Sequence, residues 1–548
     1  MIKFVKPIAR ITSLPNLLIL LFLAITQLAC SPGESRVERG NREGILHMEN
    51  ATEPQTLDPH VSTGVPETRI IQALFEGLVA KNPKDLSPIP GVAERWEISD
   101  DKLTYRFYLR ENARWSNGDP ITAEDFRWSW ERALTPALAN KYAYMMYVIK
   151  NAQAFAEGEL EDFSQVGVRV IDRLTLEVEL KQVTPYFLQL LDHHSYFPVH
   201  KNTLLAHGKK TDQYSQWTRP DNIVSNGPFT LEQWKIFRIV TVVKNPLYWD
   251  QQRVQLNGIH YYPIENYSTA ERMFKVGQVH KTNDIPLDKI PVYRKKNPEK
   301  LRNQKWFGTY YYSINTTIEP LNDVRVRRAL ALAIDRQTLT DQVMFNSVTP
   351  AYAITPPGAN GYNPPKLIEY NPEKAQQLLA EAGFPNGEGW PKMEILYNTS
   401  ESHRKIAVTI QQMWKKVLNI DVGLVNQEWK VYLDTRTQMD YQIARAAWIG
   451  DVVDPISFLD LATSTNGNNH TGYSNPEYDK LALEEIPAAA NLTQRNQKYY
   501  EAETMLMRDL PFIPIYVYNT KYLLDPSVKG IYPNFMNYYN YKFISVGN

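Results

Sequence analysis

Between Leu103 and Leu109 the chain alternates, with Leu103, Tyr105, Phe107 and Leu109 on one side, and this two-residue period predicts a strand. "SNGDP" turns the chain, and the period lengthens in "ITAEDFRWSWERAL". There Phe126, Trp130 and Ala133 share a helical face behind Thr122 as N-cap, with Asp125 three residues on. "LTLEVEL" (Leu174 to Leu180) and "FRIVTVVKN", which Pro246 ends, predict two more strands. "NDVRVRRALALAIDRQTL" predicts one continuous helix with Val326, Leu330, Ala333 and Ile334 inward. "NPEKAQQLLAEAGF" predicts another, with Pro372 in its first turn and Gly383 at its C-cap. "MEILYN" and "IDVGLVNQEW" read as strands flanking the helix "SHRKIAVTIQQMWKKVL", an order that predicts a parallel strand–helix–strand unit near residues 390 to 430. Strands and helices interleave without a repeat or low-complexity block, so the class is α/β in several lobes.

One apolar stretch carries charge. In "YQIARAAWIGDVVDP", Ile443, Ala444, Ala446, Ala447 and Ile449 supply the bulk of a buried strand, yet Arg445 lies near one end and Asp451 follows Gly450. On pattern alone Arg445 reads as an exposed edge residue and Asp451 as a turn residue before Pro455. Catalytic signatures are missing: there is no G-x-S-x-G, H-E-x-x-H, Walker A loop or G-x-G-x-x-G. "NGEGW" has too few glycines to cradle phosphate and reads as a turn. His193 and His194 are adjacent, which in a strand puts them on opposite faces and argues against a shared metal. Asp451 and Asp454 could in principle do acid–base work, but no nucleophile, metal or cofactor signature surrounds them. A secreted hydrolase acting on peptides or glycans is the outside alternative.

The N-terminus reads as an export signal. Lys3, Lys6 and Arg10 precede the apolar run Leu14 to Ala29, which is short for a membrane span, and Cys30, the only cysteine, follows. "TQLAC" resembles a bacterial lipobox, with Gln27 where the pattern has Leu, and this implies removal of residues 1–29 and lipidation of Cys30. Residues 30–44, polar and charged, are expected to form a tether. The remaining length implies two or three domains. Over the full chain 60 basic and 60 acidic residues balance, and the three basic residues of the signal leave the rest slightly acidic. That argues against a nucleic-acid partner, which requires a basic stripe. The 33 Tyr and 12 Trp suit wet binding clefts as well as half-buried cores.

The block "GVAERWEISDDKLTYRFYLRENARWSNGDPITAEDFRWSWERAL" resembles the large peptide-binding receptors of bacterial ABC importers. "PQTLDPH", "LFEGLV", "NGPFTLEQW", "NPLYWD", "NDVRVRRALALAIDR", "VNQEWKVYLDTR" and "ARAAWIGD" extend the resemblance, in family order, over nearly all of the chain beyond Cys30. The likeness is greatest to the oligopeptide-binding branch. It implies a three-lobed periplasmic-binding-protein fold of the large type II class, hinged between its gripping lobes. Lobe I would take 45–75, 201–306 and 519–548, lobe II 76–200, and lobe III 307–518. The implied ligand is a short extended peptide, with no cofactor or metal. The implied partners are the permease subunits of an importer, met by a monomer anchored outside the cytoplasm.

A free peptide is a zwitterion, so burying it requires a fixed carboxylate and a fixed cation. By the resemblance Asp451 takes the α-amine, while Arg445 with His403 takes the C-terminal carboxylate. Gly64, Val65 and the backbone of Ala447, Trp448 and Ile449 pair with the peptide, and Tyr142, Trp429, Trp448 and Tyr518 line its side-chain pockets. Six residues of strand separate Arg445 from Asp451, about 20 Å, room for roughly three to five extended residues. Met344 stands where relatives carry a lysine for longer peptides, which points to tripeptides held by Arg445, and Thr63 stands where relatives carry a glutamate. A cell-wall (murein) tripeptide is the runner-up ligand.

Overall fold

The computed structural model describes residues 33–489 and 491–547, so the expected export signal and Cys30 lie outside the described residues. The expected tether is helical from Arg36 to Glu43 (α1). Ser35 and Glu38 form a reciprocal capping box, Gly44 ends the helix in the left-handed region, and Val37 and Gly40 pack inward. Strand β1 (Ile45–Glu49) follows, then α2 (Val65–Leu74) leads into a second lobe. Its antiparallel sheet is built from β2 (Ala93–Ile98), β3 (Thr104–Leu109), β4 (Val168–Asp172) and β5 (Thr175–Glu179), in the order β2-β3-β5-β4. Tyr105, Phe107 and Leu109 are buried, as the alternation requires. Helix α3 (Ala123–Leu134) covers this lobe with Phe126, Trp130 and Ala133 inward and a Thr122–Asp125 capping box.

The chain then returns. Strands β6 (Phe229–Lys235), β7 (Ile239–Lys244) and β8 (Gly258–Tyr262) complete the first lobe's sheet, ordered β1-β8-β7-β6, with β1 parallel to β8. The third lobe holds a six-stranded mixed sheet. Its members are β9 (Lys305–Ile314), β10 (Thr349–Pro350), β11 (Met393–Asn398), β12 (Val422–Gln427), β13 (Ile443–Ile449) and β14 (Phe512–Asn519), ordered β10-β14-β9-β13-β11-β12. Residues 301–305 and 519–523 run antiparallel between the first and third lobes. Gln304 accepts from the backbone N–H of Thr520, and Leu301 pairs with Leu523. These two segments form the hinge crossing, the link between the first and third lobes.

The expected helix from Asn322 to Leu339 is broken. Helix α4 (Val324–Leu332) stops at Ala333, and Asp335 caps a separate short turn. The buried Arg336 guanidinium explains the break: it donates to the carbonyls of Ala331 and Ile334 and reaches Pro514 and Ile368, satisfying the end of α4 from outside the helix. Helix α5 (Pro372–Glu381) has Gly383 beyond its end at φ +100. Helix α6 (Glu401–Leu418) joins the parallel pair β11 and β12, the predicted strand–helix–strand unit. Helices α7 (Trp429–Thr437) and α8 (Leu492–Asp509) complete the third lobe's main elements. No helix among the described residues is long and apolar enough to cross a membrane.

Candidate functional site

Strand β13 is central to its sheet for only part of its length. On one side it pairs with β9 from Ile443 to Ile449. On the other, β11 pairs with it only at Ile443 and Ala444 before diverging. From Arg445 onward that edge has no strand partner among the described residues. The N–H of Gly450 donates to Phe307 and that of Asn315 to the Gln442 carbonyl, so the even-numbered residues between Gln442 and Gly450 turn their backbone groups toward β9. Antiparallel geometry then aims the N–H and C=O of Ala447 and Ile449 at the open edge. Their half-exposed side chains between buried Ala446 and Trp448 fit that alternation. The Arg445 carbonyl, on the same edge, is already taken by the Tyr432 hydroxyl.

This edge forms one wall of a cavity of about 420 Å³, within the range of ligand sites. Asp451, Arg445, His403, Gly64, Val65, Ala447, Trp448, Ile449, Trp429, Tyr142 and Tyr518 all line it, and so does Thr63. Met344 does not: it is fully buried in the core behind α4, away from the cavity lining. Gly64 and Val65 face the cavity from the N-terminus of α2, Gly64 being its N-cap, rather than from a strand. What they present is a helix start with unused N–H groups.

The two ends of the open edge differ in charge. Arg445 is 8% exposed and has no carboxylate within ion-pair distance among the described residues. One terminal nitrogen reaches the Tyr518 hydroxyl at 2.9 Å, another the Asn398 amide oxygen at 3.3 Å, its Nε is buried without a partner, and its guanidinium lies 4.8 Å over the Tyr310 ring. His403 sits in the first turn of α6, where Ser400 caps the helix, with Nδ1 buried and unpartnered. Burial, then the nearby charges of Arg445 and Lys521, hold its ring neutral, well below the usual histidine range. Lys521, paired with Asp284 at 3.5 Å, enters this end of the cavity from the hinge. A buried guanidinium without a counter-ion is a site for an anion.

At the other end, among the described residues, the one ion-pair partner of Asp451 is the His193 ring nitrogen, at 3.5 Å. Burial pushes the Asp451 carboxyl up to about 7, which Lys81 opposes only partly. Lys81 is itself committed to Asp192 at 3.5 Å, and burial with His194 and Lys81 holds His193 neutral. Asp451 is therefore a carboxylate without a full counter-charge. The expectation for His193 and His194 changes here. They lie at a 3-10 turn rather than in a strand, stack 4.1 Å apart, and both face the cavity. His193 was missed because "HH" has no local signal once a strand is assumed; Lys521 was missed because only the hinge crossing brings it in. No group of three or more His, Cys, Asp or Glu among the described residues is arranged to hold a metal.

The lobes touch around the cavity. Tyr142 of the second lobe meets Trp448 at 6.1 Å, Asn468 donates to the Lys141 carbonyl at 3.1 Å, and Asn266 of the first lobe donates to Glu401 at 2.7 Å. Trp448 is fixed by its indole N–H, which donates to the Ser457 carbonyl at 2.5 Å.

Comparison with known proteins places this geometry. The description of bacterial extracellular solute-binding proteins, family 5 (middle), matches residues 87–470. The periplasmic oligopeptide-binding protein OppA of Salmonella typhimurium is 39% identical over 494 residues, covering 88% of this chain and 89% of its own. The structure of the Escherichia coli murein tripeptide binding protein MppA superposes with a TM-score of 0.88 at 36% identity, over 92% of this chain and 98% of that one. An unliganded open form of MppA, also 36% identical and covering 92% of this chain and 97% of its own, superposes with only 0.62. The arrangement of this chain is therefore nearer to the first of these MppA structures than to the open form.

Proposed function

This chain belongs to family 5 of the bacterial extracellular solute-binding proteins, and we propose that it captures short oligopeptides and hands them to the permease of an ABC importer. The observation that carries the reading is the open edge of β13. Backbone donors and acceptors at Ala447 and Ile449 can pair with an extended peptide whatever its side chains. Asp451 at one end takes the α-ammonium, and Arg445 with neutral His403 takes the terminal carboxylate. Gly64 and Val65 supply backbone groups from the opposite lobe, while Trp429, Trp448, Tyr142 and Tyr518 bound the side-chain space. Lobe I is assigned 45–75, 201–306 and 519–548, lobe II 76–200 and lobe III 307–518, with closure about the hinge at 301–305 and 519–523. The ligand is released unchanged. The protein acts as a monomer outside the cytoplasmic membrane, held by a lipid on Cys30 after residues 1–29 are removed.

Native mass spectrometry of the protein purified from cells tests this. The expected result is a set of adducts with peptide masses that survive prolonged incubation; shortened products from added tripeptides would favour a hydrolase and overturn the reading. Palmitate labelling of wild type but not of Cys30→Ser tests the anchor.

One observation favours a cell-wall tripeptide, rich in carboxylates, as a second reading. Seven Lys and Arg side chains line the cavity against four Asp and Glu. Arg436 among them has no carboxylate within ion-pair distance among the described residues, and its Nε is buried without a partner. Competition between such a tripeptide and trialanine separates the two readings.

A further inference from the structure

Behind Asp451 lies a second, smaller cavity of about 50 Å³, between the second and third lobes. Asp451 lines both spaces, so it stands at the mouth between them. Met145, Val148 and Leu190 on one side and Val452 and Ile456 on the other give the small cavity apolar walls, with the Tyr144 and Tyr186 rings and Ser457 beside them. Besides Asp451, its acidic feature is Asp460. The Asp460 side chain makes no hydrogen bond or ion pair among the described residues, and its Oδ1 is shut off from solvent without a partner. Among the described residues no cation pairs with it. Burial, with Asp451 and Asp454 nearby, raises the Asp460 carboxyl well above its ordinary value. A buried acid with no partner is costly to keep unless something fills the space beside it.

We propose that this pocket takes an aminoalkyl side chain on the ligand's first residue, with Asp460 as the counter-ion of its terminal ammonium. The proposal rests on the peptide-receptor reading and deepens it. With the α-ammonium on Asp451, the first Cα sits at the mouth, and the side chain leaves it directly into the small cavity. Apolar walls ending in a carboxylate match a methylene stem that ends in a charge. At roughly 10–15 Å³ for each water-sized occupant, the pocket accepts about three to five heavy atoms. Lysine has five beyond Cα; arginine has seven and is too long. The ammonium enters as the partner of the ionised Asp460, and any proton the carboxyl carries leaves to solvent.

Calorimetry with Lys-Ala-Ala, norleucine-Ala-Ala, Arg-Ala-Ala and Ala-Ala-Ala tests this on the wild type, which needs no variant to fold. Norleucine keeps the stem and removes the charge. The expected result is Lys-Ala-Ala binding at least tenfold tighter than norleucine-Ala-Ala, with Arg-Ala-Ala weaker than Lys-Ala-Ala. In Asp460→Asn the lysine-to-norleucine ratio should fall to near one, and in Val148→Phe, which fills the pocket, lysine should lose its advantage. Equal binding of lysine and norleucine peptides to wild type, or a ratio that survives in Asp460→Asn, overturns the subsite while leaving the peptide-receptor reading standing. No binding of any of the four overturns both.

Discussion

Replacing Asp451 by Asn keeps the shape of the amine end and removes its charge. The ligand's α-ammonium would then be buried with only a neutral His193 and an amide beside it, because Lys81 is already paired with Asp192. Hydrogen bonds to charged groups are worth about 1.5–3 kcal/mol, and removing one side of a buried pair costs about 3–5 kcal/mol. The affinity for a free tripeptide should therefore fall by about tenfold to a few thousandfold. The assay is calorimetry of one tripeptide and its N-acetylated form against both proteins. Wild type should reject the acetylated peptide, and the variant should discriminate far less. A pH series adds a second signature. Burial raises the Asp451 carboxyl to about 7, and its proton must leave before an ammonium can enter. Wild-type affinity should weaken as pH falls below about 7, by up to about tenfold per unit, and the variant should lose this dependence. The sign for stability is opposite. A carboxyl raised in the folded state stabilises that state fully when protonated, below its unfolded value, and this contribution is lost as pH rises through about 7. The ligand-free Asn variant should accordingly melt no lower than wild type at pH 8. Equal affinity of both proteins for the free-amine peptide would refute the assignment.

Three further outcomes follow from named contacts. Arg445→Met should cost about 100-fold or more for a free tripeptide, since a buried carboxylate loses its partner, and should abolish discrimination against the C-terminal amide; calorimetry reads both. A side chain at Gly64 would overlap the Glu67 carboxylate and lie 3.3 Å from the Trp429 ring across the cleft. Gly64→Ala should therefore bind more weakly and show a smaller ligand-induced decrease in radius of gyration by small-angle scattering than wild type. The Asp58–Arg132 pair, fully buried at 2.6 Å, ties the first lobe to the second. Asp58→Asn should destabilise by about 3–5 kcal/mol in urea titration at pH 7. Burial alone would raise the Asp58 carboxyl, but Arg132 outweighs it and holds the group low, so its contribution is present above the unfolded carboxyl value and fades as pH falls through the folded one.

The elements with strong local signals were legible in the sequence. The alternation of β3, the capping box of α3, and the strand–helix–strand unit around α6 all follow from period and caps. So did the oddity of Arg445 and Asp451 bracketing an apolar strand. What makes that strand a binding surface was not legible, because the open edge exists only where β11 diverges after Leu396, and divergence is a property of the assembled sheet. The broken helix after Leu332 depends on Arg336 reaching carbonyls in three different segments. The segment 30–44 read as a polar tether because a charged eight-residue stretch has little apolar bulk; from Ser35 to Gly44 its caps and the close seat of Gly40 against Ile45 order it. Asp460, inside an apolar run, drew no notice until its carboxyl proved to have no partner.

The central claim is that an extended peptide adds itself to the free edge of β13 between Arg445 and Asp451. Amide hydrogen exchange at Ala447 and Ile449, measured with and without a saturating tripeptide, tests this most directly. Both N–H groups should exchange much more slowly in the complex, while Ala446 and Trp448, already bonded to β9, should change less. Unchanged exchange at Ala447 and Ile449 under conditions where calorimetry confirms binding would contradict the account.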